Sequence, residues 1–376
     1  MANNLRIFPV LAGVAVISWL RYHAAPSPDL LATWMAGKYF ADGNFAQIYA
    51  NDVGVFTMRP PRDWVPFLRE TGYRGSVYPF IYPPIWAYFG ALLNRVTDFA
   101  TLVSVASIIN PLLLVATIIL AVRMVAEKLT VLTSAAIVII LFATSLPALV
   151  ALEQNQPQIM VTFLVVLSVE RARAGSYLLG GLAMALAASI KLYPAIFALF
   201  WWAQGDRRAS VAFAIFGGGL GLLSLLLAGW PLHAEFLSQV GVISGSVLVT
   251  FFTYSLDPLI AQLFFFDDMT FLTHNRVLAF GEIASGYSVL AKPVIWRAAD
   301  VVILAVTVGG LYLVAKSARG RDPLFWPFAF VLVALISPLS WGYHYLAALA
   351  FSTALLERYS LRMAILALFA VFFPLS

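Results

Sequence analysis

Apolar residues dominate the chain in runs of 11 to 24 residues separated by short polar or basic pieces. The runs are Ile7–Leu20, Phe99–Val122, Leu129–Leu149, Ile159–Val169, Val211–Ala228, Val301–Val314, Phe325–Ile336, Tyr345–Leu356 and Met363–Phe373. None shows the strict two-residue alternation of a half-buried strand, so each is expected to be a helix. A bilayer-spanning helix needs about 20 mostly apolar residues, a length that Phe99–Val122, Leu129–Leu149 and Val211–Ala228 reach or approach on their own. Counting the broken segments described next, the pattern predicts an all-α polytopic membrane bundle of about eleven transmembrane helices.

Residues 176–203 form an apolar-rich stretch with Lys191 near its middle and Pro194 just beyond. One long helix would bury the lysine at the bilayer centre, at about 2.5–3.5 kcal/mol. Two short helices meeting at Lys191 avoid that cost, and return Arg207 and Arg208 to the side of the other basic loops. Irregular backbone at that depth requires protein or water to line it. Tyr82-Pro83-Pro84 reads as a helix start with proline in its first turn, and the apolar stretch to Leu93 as a half-inserted helix.

Two longer polar regions interrupt the pattern. Residues 24–97 form a first outer loop, within which Asp29–Ala41 carries Leu30, Trp34 and Tyr39 at helical spacing, as an interfacial helix does. Residues 230–297 form a second outer region, holding Trp230, His233, Asp257, Asp267, Asp268, His274 and Glu282. Its apolar part, Val247–Phe266, is expected to be re-entrant or interfacial. The whole chain, 1–376, reads as one membrane-embedded domain without a soluble catalytic appendage.

Composition agrees with this division. Of 376 residues, 62% are hydrophobic and 11% charged, against roughly 45–50% and about 25% in soluble domains. The 23 basic and 18 acidic residues give a net charge of +5. The basic ones, Arg6, Arg123, Lys128, Arg171, Arg173, Arg207, Arg208, Lys316, Arg319, Arg321, Arg358 and Arg362, sit beside apolar runs, as in cytoplasmic loops. That placement argues against a nucleic-acid partner. The first run follows Arg6 and precedes Arg21-Tyr22-His23, a poor cleavage context, so a retained signal-anchor is expected rather than a secretory signal. With no cysteine, disulfides, thiolate metal sites and cysteine nucleophiles are excluded.

Laying the helices out by charge bias collects the unusual polar residues on the outer, non-cytoplasmic side. Asp29, Gln154-Asn155-Gln156-Pro157-Gln158, Lys191 and His344 come from four separate segments. Ionisable residues at membrane depth are costly and mark functional sites. Asp29 is either a helix N-cap or a general base that takes a proton from an acceptor hydroxyl. Lys191 is either a snorkelling lysine or a point charge for a phosphate, and His344 either an interfacial anchor or a donor to that phosphate. Gln156, Gln158 and Glu153 either cap helix ends or, with Tyr82 and Trp341, form the amide, carboxylate and aromatic set that a sugar requires. The chain has no phosphate-binding glycine loop, His-Glu-x-x-His pair or Gly-x-Ser-x-Gly elbow. It also lacks an Asp-x-Asp metal motif, and Asp267-Asp268 is a weak metal signal because neighbours on a helix diverge. A transporter or glycolipid flippase would suit many spans and a few intramembrane charges as well as an enzyme does.

Several segments together resemble the membrane glycosyltransferases of the GT-C type, specifically glycosyltransferase family 87, the polyprenyl-phosphate-mannose-dependent mannosyltransferases. They are Pro28-Asp29 with Ala36-Gly37-Lys38-Tyr39, Gly43 and Ile48-Tyr49; Tyr82-Pro83-Pro84; Asn155-Gln156-Pro157-Gln158; Gly181 with Ile190-Lys191-Leu192-Tyr193-Pro194; and Ser337-Pro338-Leu339-Ser340-Trp341-Gly342-Tyr343-His344. The family's usual Gly-Gln-x-Asn is replaced here by Asn-Gln-Pro-Gln, and its paired histidine by Tyr343-His344. The resemblance implies a GT-C-like bundle in the cell inner membrane with its site on the non-cytoplasmic side. It also implies inverting transfer of mannose from a polyprenyl-phosphate donor to a lipid or glycan acceptor. On this reading Asp29 is the base, Lys191 and His344 hold the donor phosphate, and no metal or other cofactor is strictly required. Membrane lipids surround the chain, and a monomer is one of the states the sequence leaves open.

Overall fold

The computed structural model describes residues 7–127, 129–274, 276–278 and 286–372. Arg6, Lys128, Glu282 and Phe373, which entered the reading above, lie outside the described residues.

The chain is mostly helical. Three helices are long and apolar enough to cross a bilayer: Phe99–Val125, Arg207–Ser244 and Val294–Lys316. A fourth span results if Val131–Thr144 and Leu146–Glu153, bent by 68° at Ser145, are counted together. The other apolar segments are shorter helices, among them Ile7–Tyr22, Gln158–Arg173, Tyr177–Ile190 and Phe325–Leu335. The expected count of about eleven therefore exceeds the number of helices that meet the length and hydropathy of a span. Many apolar runs are divided by proline or by a turn, as at Ser145-Leu146-Pro147, Leu192-Tyr193-Pro194 and Phe351-Ser352.

The break at Lys191 follows the expectation. The helix Tyr177–Ile190 stops with Lys191 in extended conformation, a 3₁₀ turn covers Tyr193–Ile196, and Phe197–Gln204 continues. The helix that begins at Arg207 runs further than its apolar run, past Ala228 to Ser244. Gly229, with φ of 74°, turns it ahead of Pro231, which has no N–H to give. Residues 230–244 of the second outer region are thus helical.

Strands appear where the pattern suggested none. In the second outer region β2 (Ser246–Val249), β3 (Thr270–Thr273) and β5 (Gly286–Ala291) form an antiparallel sheet in the order β2-β5-β3. Leu248 lies opposite Val289, and both are buried with Tyr287 against Phe56 and Met58 of the first outer loop. A pair too short to stand alone, β1 (Gly75–Ser76) and β4 (Arg276–Val277), also joins the two outer regions. The Val247–Phe266 stretch is therefore split between β2 and the short helix Leu256–Phe264. β-Branched Val247, Val249 and Thr250 favour the strand.

Packing orders the bundle by its ends. Gln158–Arg173 and Tyr177–Ile190 form an antiparallel hairpin, so Gln158 and Lys191 share one end while Arg171 and Arg173 share the other. Arg173 donates to the Arg321 carbonyl at 3.0 Å and Gln204 to the Gly320 carbonyl at 2.7 Å. Arg358 pairs with Asp322 at 3.3 Å. The basic loops thus gather at one end, and the Gln154–Gln158, Lys191, Ser244–Thr250 and Ser337–His344 segments lie at the opposite one.

Candidate active site

At the end remote from the basic loops, residues from both outer regions and the helix ends enclose a cavity of about 1010 Å³. That is at the upper end of small-molecule sites. Asp29, Tyr82, Glu153, Gln156, Lys191, Trp341 and His344 all line it. Of the residues singled out in the sequence, Gln158 is the exception. It is buried behind the wall, where its amide donates to the Tyr193 hydroxyl at 2.8 Å.

Asp29 is the second residue of the helix Pro28–Ala41, whose N-cap position is held by Ser27, so the carboxylate is not the cap. The buried side of that helix is Leu31, Met35 and Tyr39; of the expected Leu30, Trp34 and Tyr39, only Tyr39 is buried. It crosses Pro84–Val96 at Gly37 and Gly90, where a Cβ on Gly37 would lie 2.2 Å from the Gly90 carbonyl carbon. Two glycines are therefore what lets the backbones approach and sets the depth of Asp29. The helix N-terminus favours a carboxylate there. Burial nonetheless raises the Asp29 pKa above the ordinary range, opposed by the Lys191 charge and the Gln156 amide. One oxygen, Oδ2, is shut from solvent with no hydrogen-bond partner.

Gln156 follows Asn155 in a tight turn between Leu146–Glu153 and Gln158–Arg173. Its Oε1 accepts from the Tyr82 hydroxyl at 3.0 Å, which leaves the amide nitrogen facing Asp29. Glu153, at the end of its helix, is exposed to the cavity.

Lys191 ends the helix Tyr177–Ile190, a position where the macrodipole favours a cation. Its Nζ lies 5.4 Å from the Tyr343 ring and 6.0 Å from that of Tyr82. No carboxylate comes within 4.0 Å of it among the described residues. It stands 3.2 Å from His344 Nε2. His344 Nδ1 lies 2.8 Å from the Trp341 backbone N–H and 3.3 Å from the Trp341 carbonyl oxygen, so the tautomer sets whether Nε2 donates or accepts. With Nδ1 protonated, Nε2 accepts from the Lys191 ammonium; with Nε2 protonated, ammonium and imidazole both present donors to a shared acceptor. The loop that holds His344 is fixed from the second outer region: Gly342 donates to the Phe252 carbonyl at 3.1 Å and Tyr254 to the Ser340 carbonyl at 2.7 Å.

Sequence reasoning gave several residues of the site no role. Arg276 and His274 line the cavity from the second outer region, and their signal was no more than a histidine and an arginine in a polar stretch. Asn110, inside the apolar helix Phe99–Val125, donates to Asn155 Oδ1 at 2.8 Å, and as an intramembrane polar residue it was detectable.

An apolar helical bundle whose cavity opposes a desolvated carboxylate to a lysine and a histidine suits glycosyl transfer. A family model described as glycosyltransferase family 87 matches residues 80–339, more than half of the chain, and the chain belongs to that family. The matched stretch includes Tyr82, Gln156 and Lys191, and lies between Asp29 and Trp341. No curated protein matches the chain.

Proposed function

We propose that this glycosyltransferase moves a sugar, mannose first among the candidates, from a polyprenyl-phosphate donor to a hydroxyl of a lipid or glycan acceptor. The transfer inverts the anomeric carbon and takes place on the non-cytoplasmic side of the cell membrane, in a GT-C-like multi-span bundle. The observation that carries the reading is the pair Lys191 Nζ and His344 Nε2, 3.2 Å apart in a cavity that Asp29 also lines. A phosphate oxygen beside the pair would accept from the Lys191 ammonium and, in the Nε2–H tautomer, from His344. That contact strengthens as charge develops on the leaving group, which is preorganised electrostatic stabilisation.

In the reaction Asp29 takes the acceptor's hydroxyl proton and the freed oxygen bonds to the anomeric carbon. The bond from that carbon to the phosphate oxygen breaks, and its electron pair leaves with polyprenyl phosphate. The Lys191 ammonium neutralises that charge and His344 donates a hydrogen bond to it, so the step needs no metal. Asp29 and Lys191 interact through space without pairing, which suits a sugar ring held between them. Glu153, Gln156, Tyr82 and Trp341 would bind sugar and acceptor hydroxyls and ring faces, with Gln158 positioning Tyr193.

The sidedness reading rests on the basic loops gathered at the end away from the cavity. A transporter would instead need a route from both ends.

The test is incubation of the protein in proteoliposomes with radiolabelled polyprenyl-phosphate-mannose and a total lipid extract. Label should move to a new product, and Asp29→Asn should stop it. Absence of transfer together with absence of polyprenyl-phosphate binding rejects the reading.

A further inference from the structure

A second wall of the same cavity carries polar groups that the transfer step leaves unused. Arg276 of β4 lies opposite Ser76 of β1, and both line the cavity with His274 and Tyr78. Among the described residues no carboxylate comes within 4.0 Å of Arg276. Its Nε is shut from solvent and has no hydrogen-bond partner. A guanidinium with a buried, unmet N–H is costly, and the cost disappears when an oxyanion arrives to accept from it.

The neighbouring groups fit such a ligand. The His274 ring lies 4.6 Å from that of Tyr287, tilted by 46°, and 6.4 Å from that of Tyr78. Burial and the Arg276 charge hold its imidazole below the ordinary range, so it is a neutral donor or acceptor. Tyr73 donates to the Ser76 carbonyl at 2.7 Å, which fixes the strand that faces Arg276. Tyr78 is within electrostatic reach of both Asp29 and Arg276, so this corner adjoins the base. Lys191 and His344 stand elsewhere, between Tyr82, Tyr343 and Tyr193.

We infer that Arg276, with His274 and Tyr78, forms a second oxyanion subsite, and that the acceptor carries a phosphoryl or carboxylate group bound there while its hydroxyl reaches Asp29. The inference rests on the proposed transfer and names the class of acceptor: an anionic glycolipid rather than a neutral one.

The test has a binding arm that needs no turnover. Protein in nanodiscs of neutral lipid is titrated with dioctanoyl phosphatidic acid, dioctanoylglycerol or inorganic phosphate, followed by tryptophan fluorescence, with and without saturating polyprenyl phosphate. Phosphatidic acid should bind with polyprenyl phosphate present, and roughly ten- to a hundredfold more weakly to Arg276→Gln, the scale of a charged hydrogen bond. Arg276→Lys should recover part of the loss, which a folding defect would not. Equal binding by wild type and Arg276→Gln overturns the inference, as does displacement of phosphatidic acid by polyprenyl phosphate. Inorganic phosphate binding as tightly as the lipid would assign the subsite to a free anion and overturn the acceptor reading.

In the turnover arm unused donor is cleaved with mild acid and the labelled product applied to an anion exchanger. Retention is expected, and a neutral product overturns the inference. Intact phosphatidic acid binding without any transfer would reject the donor assignment and leave the subsite standing.

Discussion

Asn155 Nδ2 donates to Ser27 Oγ at 2.9 Å, and both residues hold left-handed backbone, with φ of 47° and 49°. Left-handed conformation costs a residue with a Cβ roughly 1–2 kcal/mol, so the contact keeps two strained turns in place. One turn delivers Asp29 and the other Gln156. Met58, the only other non-glycine residue with positive φ among those described, also lines the cavity. Strain collected at a site points to pre-organisation.

Asn155→Ala removes the tie without touching the proposed donor pair. Turnover should fall roughly ten- to a hundredfold, as expected for a misplaced reacting group, while polyprenyl-phosphate binding changes less than twofold. Steady-state kinetics with a parallel donor-binding titration would check it. An equal loss in both would make Asn155 a general stability residue.

Asp29→Asn should fold and insert yet lose turnover by about 10²–10⁴-fold. The acid limb of the wild-type pH–rate profile should lie above the pH at which an ordinary carboxylate titrates, because burial raises the Asp29 pKa. Turnover is lost as pH falls through that raised value. The same shift has the opposite sign for stability. The folded state holds the proton more tightly than the unfolded chain, so stability declines as pH rises through the window between the two pKa values. Asp29→Asn should therefore melt higher than wild type at neutral pH and no higher in acid, as thermal unfolding in detergent would record.

Lys191→Gln should raise the donor's half-saturation concentration roughly ten- to a hundredfold, the scale of one charge-assisted hydrogen bond. The acceptor's should change far less. Equal effects on both substrates would count against the donor-phosphate role. His344→Gln keeps a side-chain N–H donor and should cost less than His344→Ala.

Gly37→Val should destabilise the protein by about 1–3 kcal/mol through overpacking, since its first carbon meets the Gly90 backbone at 2.2 Å. Gly43→Ala is the control for space: nothing lies within 4 Å of a Cβ there, although the φ of 71° carries its own strain. A lowered melting temperature for Gly37→Val with unchanged stability for a substitution at the open helical position Gly218 would assign the cost to the helix crossing.

Much of the helical plan was legible because it depends on local chemistry. Lys191 and Pro194 interrupt an apolar stretch, and the helix ends at Ile190. Pro84 opens its helix. The kink at Gly229 and the β2-β5-β3 sheet were not legible. A glycine before Trp-Pro can end a helix or bend it, and Val247–Val249 gains its strand partner from β5, some forty residues on.

The order of apolar and basic segments by itself determined that this is a helical chain suited to a bilayer, with polar residues gathered where apolar runs end. Hydropathy and charge act over a few residues, so a linear pattern suffices for them. The sequence could nominate Lys191 and His344 but could not join them across 153 residues, nor seat Asn155 on Ser27 across 128. Nor could it turn Arg276 toward the same space. Those meetings depend on how far each helix rotates about its axis and how closely its neighbours approach, as at Gly37 and Gly90, and only the packed structure fixes both.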